Sequence, residues 1–510
     1  MAGISSRQAG VIVSYVYSIV QIAVQLVYVP LLLSGIGQSE YGVYQFVGSI
    51  LAYLTVINTV LASGITKFYS RAVIEGDEIK MENTLAVAKR LHWCISAIAV
   101  VVIAVVGFIV INAYQCSFTH PQLYEMSLMF VVLAIDMVVT MNNTINIAVI
   151  TARERFVFLK VSQLIAVLMQ PAIVLVGMRF MPTALMVAVC TLFANMVCAA
   201  VQRVFAQSVL KTKYTFHYFD KSLVKEMIAF SGAVILVAFS DQVFWKSGQL
   251  ILGFFYGPEV IAVFAIGAQI YSVYMVVGTT VSTVFLPRVT EIHLKDANPI
   301  VGFTDLFIRV GRISLYVSLF ILWAFVIFGK EFIALWAGDG FIDAYWIALV
   351  VMVPYTVDII QNLGLTILQV VNRYQFRGYM NAVISGANVA LSIVLVQQFG
   401  ILGAAVSTAG SILLGNCFIM NIYYSRVVGI DIQAFWKSII RILIPLCALG
   451  MCAIVVWNAL ALHGWISLVL SGVIFAMIYL FVAYSSCFNQ YERSLFWKML
   501  NRFGAKRLIE

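Results

Sequence analysis

Apolar stretches of about 20 residues follow one another along the whole chain, and each is long enough to cross the hydrocarbon core of a bilayer as a helix. Fourteen spans are expected, at about 9–34, 40–62, 91–113, 123–149, 161–179, 183–206, 229–255, 258–286, 308–329, 343–370, 379–398, 402–424, 439–460 and 464–486. With 63% hydrophobic and only 10% charged residues, a soluble globular fold is set aside. The expected class is an all-α polytopic membrane protein. The N-terminal run MAGISSRQAGVIVSYV leads straight into the first span. Its apolar part is too long for a signal-peptide core, and no A-x-A-like site closes it, so a retained helix is expected.

The charges orient these spans. With the N-terminus inside, 28 of the 31 Lys and Arg residues fall on inner segments or the C-terminal tail. Arg179 and Lys330 fall outside, and Lys246 is the one Lys or Arg expected deep within a span. This asymmetry is the positive-inside pattern, and the even span count puts both termini on the cytoplasmic side. The net charge of +9 is spent on orientation, so no nucleic-acid partner is implied. The inner loops Lys67–Arg90 and Lys211–Lys225 are expected to form short amphipathic surface helices. The outer loops are short, the longest about Gly329–Ile342, and its acids Glu331, Asp339 and Asp343 read as ordinary loop solvation. Most of the eight cysteines sit singly in apolar segments, which implies neither a disulfide framework nor a metal motif.

A shift of 220 residues brings the two halves into register. Gly37–Tyr44 falls on Gly257–Phe264, Lys89 on Arg309, Asn142 on Asn362, Arg153–Phe156 on Arg373–Phe376, and Ala184 on Ala404. Six helices per copy is an even number, so the copies share one orientation and a pseudo-two-fold axis along the membrane normal is expected. The division is 1–210 (first lobe), 211–425 (second lobe), and 426–510 (two further helices and a cytoplasmic tail).

Polar residues within the spans are the candidates for function. Lys246 sits near the middle of Ser231–Phe255, where a charge costs roughly 2.5–3.5 kcal/mol or more on insertion. Gln242, Lys246 and Gln249 are spaced i, i+4, i+7 and share a helix face. Asp241 points roughly 140° from Lys246. Lys246 either meets an anionic group of a substrate or has a structural role, snorkelling or paired with an acid. The first span adds Gln21 and Gln25 in a stripe with Ser14 and Ser18, the second adds Tyr44 and Asn58, and the eighth adds Gln269 and Tyr274. These line a substrate cavity or serve as polar glue between helices. Asp136, Asp358 and Asn362 are either sites for a coupling H⁺ or Na⁺ or structural hydrogen-bonding groups. Pro171 and Pro354 are candidate hinge points. No GxxxxGK[ST] loop is present, so no nucleotide cofactor is implied, and no two of the five histidines have metal-ligand spacing.

The run LLLSGIGQSEYGVYQF (31–46) and its repeat LGFFYGPEVIAVFAIGAQI (252–270), with VFLPRVTEIH (284–293) and VVNRYQFRGYMNAVISGANVALSIVL (370–395), resemble the polysaccharide transporter branch of the multidrug/oligosaccharidyl-lipid/polysaccharide exporter superfamily. The resemblance covers nearly the whole chain in a 6+6+2 arrangement. It implies a flippase, not an enzyme, that carries undecaprenyl-pyrophosphate-linked glycan units, O-antigen-like, across a bacterial inner membrane for surface (lipopolysaccharide-type) polysaccharide assembly. A polysaccharide polymerase and chain-length proteins are the implied partners. A multidrug and toxin extrusion antiporter, a peptidoglycan-precursor flippase and a membrane enzyme of glycan assembly remain as alternatives.

Overall fold

The computed structural model describes residues 6–218, 221–296, 298–494, 496 and 497. The tail cations Lys498, Arg502, Lys506 and Arg507 lie outside them. The fold is all helical. The principal helices are α1 (Ser6–Glu75), α2 (Glu78–Ala113), α3 (His120–Ala152), α4 (Phe156–Gly177), α5 (Ala184–Val204), α6 (Lys221–Tyr256), α7 (Pro258–Thr283) and α8 (Leu286–Lys295). They continue with α9 (Pro299–Trp336), α10 (Ala344–Gln361), α11 (Leu363–Val370), α12 (Gln375–Phe399), α13 (Ile401–Ile412), α14 (Met420–Tyr423), α15 (Ile432–Leu460) and α16 (Trp465–Val482).

Among the described residues, 12 helices are long and apolar enough to cross a membrane. The expected spans 9–34 and 40–62 share α1, which breaks at Gly37, and the span expected at 229–255 is α6, which is outside that set of 12. At the break Gly37 has φ 80° and ψ 171°, a region open essentially to glycine alone. Its repeat counterpart Gly257, at the α6–α7 junction, has φ 90°. A Cβ at Gly257 would stand 2.7 Å from the Ser117 carbonyl oxygen. The two glycines, 220 residues apart, both have a positive φ.

By contacts the chain forms two compact units, residues 1–265 with 381–404, and residues 266–380 with 405–510. In the first, Phe46, Met126, Met129 and Met141 of α1 and α3 centre the core. In the second, α10 is the most enclosed span, and glycines admit bulky neighbours. Gly450 of α15 lies flat on Trp323 of α9, and Gly311 of α9 takes the Phe435 ring. Close approach at small residues is how membrane helices gain packing energy, because lipid offers apolar side chains no worse a home than protein does. The outer faces carry large apolar side chains, such as Ile466 and Phe481 of α16.

The connections expected on the inner side differ from the amphipathic helices expected of them. α1 and α2 simply continue through most of 67–90, with only a short turn between them. Residues 211–218 form no helix. Their alternating TKYTFHY has no helical period, and the segment lies on α2 instead. The Asn83 side chain accepts from the amides of His217 and Tyr218, each at 3.1 Å, and the Arg90 guanidinium stacks 3.6 Å from the Phe216 ring centroid. One amphipathic surface helix does form, α8, with Val289 and Ile292 buried.

Candidate functional site

α6 is gripped through its own carbonyls. Ser385 and Asn388 of α12 donate to the Ser240 and Phe244 carbonyls at 2.7 and 3.0 Å. Tyr114, just past α2, donates to the Leu250 carbonyl at 3.1 Å, and Ser117 donates to that of Phe254. On the α1 side, Tyr53 packs on Phe239 with ring centroids 5.7 Å apart, and Phe46 fills the notch left by Gly253. Every one of these contacts lies within the first unit.

The grip sets which side chains of α6 are enclosed. Gln249 and Ser247 are buried, Gln242 and Lys246 are partly buried, and Asp241 is exposed. Among the described residues Lys246 has no ion-pair or hydrogen-bond partner. The Ser247 Oγ, Gln249 Oε1 and Asn388 Oδ1 are buried without a partner as well. Buried polar atoms in native folds are bonded in the great majority of cases. This stretch of α6 and the facing part of α12 therefore hold unspent hydrogen-bonding capacity along the same segment as Lys246. On α1, Gln21, Tyr44 and Asn58 are partly buried and Gln25 is exposed, and the Asn58 Oδ1 also lacks a partner. Ser18 is used up locally, donating to the Ser14 carbonyl at 3.1 Å.

The remaining candidates fall elsewhere. Gln269 and Tyr274 belong to the second unit. Tyr274 is buried, its hydroxyl 2.6 Å from the Thr356 Oγ1. Asp358 is buried, 3.9 Å from the Arg377 guanidinium, whose Nη1 also donates to Asn416. Asn362 stands at the α10–α11 junction. Asp136, partly buried on α3, accepts a 2.9 Å bond from Asn195 on α5. The acids Asp136 and Asp358 thus share a rough register but differ in partner, an amide in one copy and a cation in the other.

Two features of this map are absent from the sequence reading. Arg312, taken for an inner-loop charge, is buried on α9 and holds Glu492 of the tail at 2.5 Å. Glu331, taken for a solvated loop acid, accepts the Gly464 amide at 2.9 Å and so caps α16. A groove of about 250 Å³ also runs along α9, α15 and α16, walled by Phe328, Val456, Trp457, Ile474 and Phe475.

The family model described as polysaccharide biosynthesis protein matches residues 8–293. The chain belongs to the polysaccharide biosynthesis protein family. A search of curated proteins by sequence gives no match. Among solved structures this family member is similar to the lipid II flippase MurJ in an inward closed conformation. That match has a TM-score of 0.73 at 12% identity and covers 93% of this chain and 99% of MurJ. It is also similar to a multidrug resistance MATE family transporter of the MOP superfamily in an inward-facing conformation. There the TM-score is 0.62 at 12% identity, with 82% of this chain and 96% of that one covered. A MATE bound to MaL6 gives a TM-score of 0.57 at 11% identity. These likenesses establish the fold, that of transporters and flippases.

Proposed function

We propose that the protein flips polyprenyl-pyrophosphate-linked oligosaccharide units from the inner to the outer leaflet of a bacterial cytoplasmic membrane, with both termini inside. The observation that carries this reading is Lys246, a partly buried cation in the middle of an apolar helix, with Gln242 and Gln249 beside it on the same face. An intramembrane charge held at such expense is a functional group by default. A pyrophosphate supplies the anion, and the amides suit sugar hydroxyls. Gln21, Gln25, Tyr44, Asn58 and Asp241, all of the first unit, complete the head-group lining. Alternating access comes from rocking of the two six-helix repeats about the site, driven by an ion gradient, with Asp136 the better coupling acid because among the described residues its bonded partner is the Asn195 amide and not a cation. Surface polysaccharide of O-antigen type is the destination, and a polymerase and chain-length proteins are the partners that would take the product.

The test is Lys246→Met in proteoliposomes carrying a fluorescent polyprenyl-pyrophosphate oligosaccharide. A charge-assisted bond contributes about 1.5–3 kcal/mol, so flipping should fall about 10- to 100-fold, with Lys246→Arg retaining most of it. Wild-type flipping by Lys246→Met at wild-type protein levels refutes the role. The multidrug antiporter reading makes the opposite prediction in cells. Deleting the gene would raise drug sensitivity and leave the surface glycan intact, whereas a flippase deletion traps lipid-linked units on the inner face.

A further inference from the structure

A second polar site lies wholly within the first compact unit. A cavity of about 480 Å³ opens between α2, α3 and α5 at the ends of those helices that carry the inner charge. Its cations are Lys89 of α2 and Arg203 of α5. Its lining residues Tyr214, Asn146 and Asn143 begin a relay of neutral groups that continues behind the wall to Gln202 and Ser162. Tyr214 donates to Asn146 at 3.1 Å, Asn146 to Asn143 at 3.1 Å, Asn143 to Gln202 at 2.7 Å, and Gln202 to Ser162 at 3.0 Å. Lys89 sits 5.2 Å from the Tyr214 ring centroid. Trp93, 56% exposed, stands at the rim beside apolar walls that include Val138 and Met196.

No carboxylate balances these cations among the described residues. The acids of α2 and α3 are engaged or remote: Glu82 faces His217 at 2.9 Å, Glu125 accepts the Leu185 amide, Asp136 is bonded to Asn195, and Glu78 is exposed at the start of α2. The second repeat shows what is missing. The counterpart of Lys89 is Arg309, which pairs with Asp305 at 2.6 Å. The place of Asp305 is taken in the first repeat by Leu85. The counterparts of the wall residues Val138 and Met196 are Asp358 and Asn416, which hold Arg377. Each copy therefore carries two cations in this region. The second copy supplies its own carboxylates, and the first has hydrocarbon at both of the matching positions.

We infer that the cavity between α2, α3 and α5 binds the phosphate headgroup of an anionic phospholipid from the inner leaflet. Lys89 stands where the charged first turns of α2 (78–90) give way to its apolar stretch, and Arg203 stands six residues before the end of Ala184–Val209, so both mark the border of the apolar zone, the depth at which phosphates stand. Basic pockets between helices on the cytoplasmic side recognise such headgroups. The second N–H of the Asn143 and Asn146 amides gives donors to the headgroup oxygens, and the Tyr214 oxygen accepts from a headgroup hydroxyl, while Trp93 and the apolar wall meet the glycerol and first methylenes, as aromatic residues do at the interface. This site is separate from Lys246 and does not depend on the flippase reading.

The experiment is native mass spectrometry of the full chain titrated with dioleoyl phosphatidylglycerol, dioleoyl phosphatidylcholine and inorganic phosphate. Wild type should hold one phosphatidylglycerol more tightly than phosphatidylcholine. Two interfacial cations are worth about 1 kcal/mol each, so Lys89→Gln with Arg203→Gln should weaken that lipid roughly 20- to 30-fold. Lys211→Gln with Lys213→Gln removes the same charge from the adjoining loop and should leave it bound. Val138→Asp keeps both cations but supplies an internal carboxylate in the manner of Asp358, and should displace the lipid equally. Equal loss in both charge variants, or equal binding of the two lipids, overturns the inference. So does phosphate that binds alone as tightly as the lipid and competes it away, because the ligand is then the free ion.

Discussion

Removal of the Arg312 guanidinium should undock the C-terminal segment. Arg312 reaches both carboxylate oxygens of Glu492, Nε to Oε1 at 2.5 Å and Nη2 to Oε2 at 2.8 Å. It also donates to the Ser438 Oγ at 3.0 Å and the Cys487 carbonyl at 2.9 Å. The side chains are 10% and 5% exposed, so the pair is buried and bidentate. Breaking such a pair from one side costs about 3–5 kcal/mol, because an uncompensated charge stays behind. In Arg312→Met the Glu492 carboxylate keeps the Asn489 amide at 2.9 Å and the Tyr316 hydroxyl at 3.2 Å, which places the cost at the lower end, about 3 kcal/mol. That is roughly a hundredfold in the opening equilibrium of this segment. Hydrogen exchange of the amides of residues 489–494, in detergent, reads it directly. Exchange should accelerate about a hundredfold in Arg312→Met and return towards wild type in Arg312→Met with Glu492→Leu, since two apolar groups replace a buried pair at little or no cost. Unchanged exchange in the single variant, or a double variant as open as the single, refutes the reasoning.

The two matched glycines should differ in their tolerance of a side chain. Gly37→Ala meets strain of about 1–3 kcal/mol from its positive φ alone, whereas Gly257→Ala adds a collision with the Ser117 carbonyl. Thermal midpoints in detergent should fall in the order wild type, Gly37→Ala, Gly257→Ala, and two midpoints equal to wild type would remove the shared turn from the account. Asp136→Asn should abolish the ion dependence of flipping with little loss of stability, because an amide can still accept from Asn195. Asp358→Asn should instead lower the thermal midpoint, because it strands Arg377. Ion dependence that survives Asp136→Asn unaltered leaves Asp136 a structural acid.

What the sequence made legible is the part of the fold that local chemistry decides. The break at Gly37 and its copy at Gly257 follow from a residue type that alone tolerates the backbone required, so a 220-residue shift finds both. The spans follow from length and apolarity. What stayed hidden depends on partners distant in the chain. Arg312 and Arg377 each lie within a few residues of a span end, where a solvated cation and a buried one look alike in sequence. Their fates are set by Glu492, 180 residues on, and by Asp358 on a different helix. Lys246 was legible because it lies mid-span, too far from either end for that ambiguity.

The same reasoning explains why the repeat is faithful as a scaffold and unfaithful as a charge map. Backbone turns and small-residue contacts constrain both copies alike, so Gly37 and Gly257 stay matched. A cation at a span end needs only some anion within reach, and protein, lipid or substrate can each provide it. Arg309 and Arg377 draw theirs from Asp305 and Asp358. Lys89 and Arg203 face hydrocarbon at the corresponding positions, and Lys246 maps onto Leu26, an apolar residue in the first copy. The cations that the described residues leave unbalanced are therefore the ones at which an anion from outside the chain has something to gain.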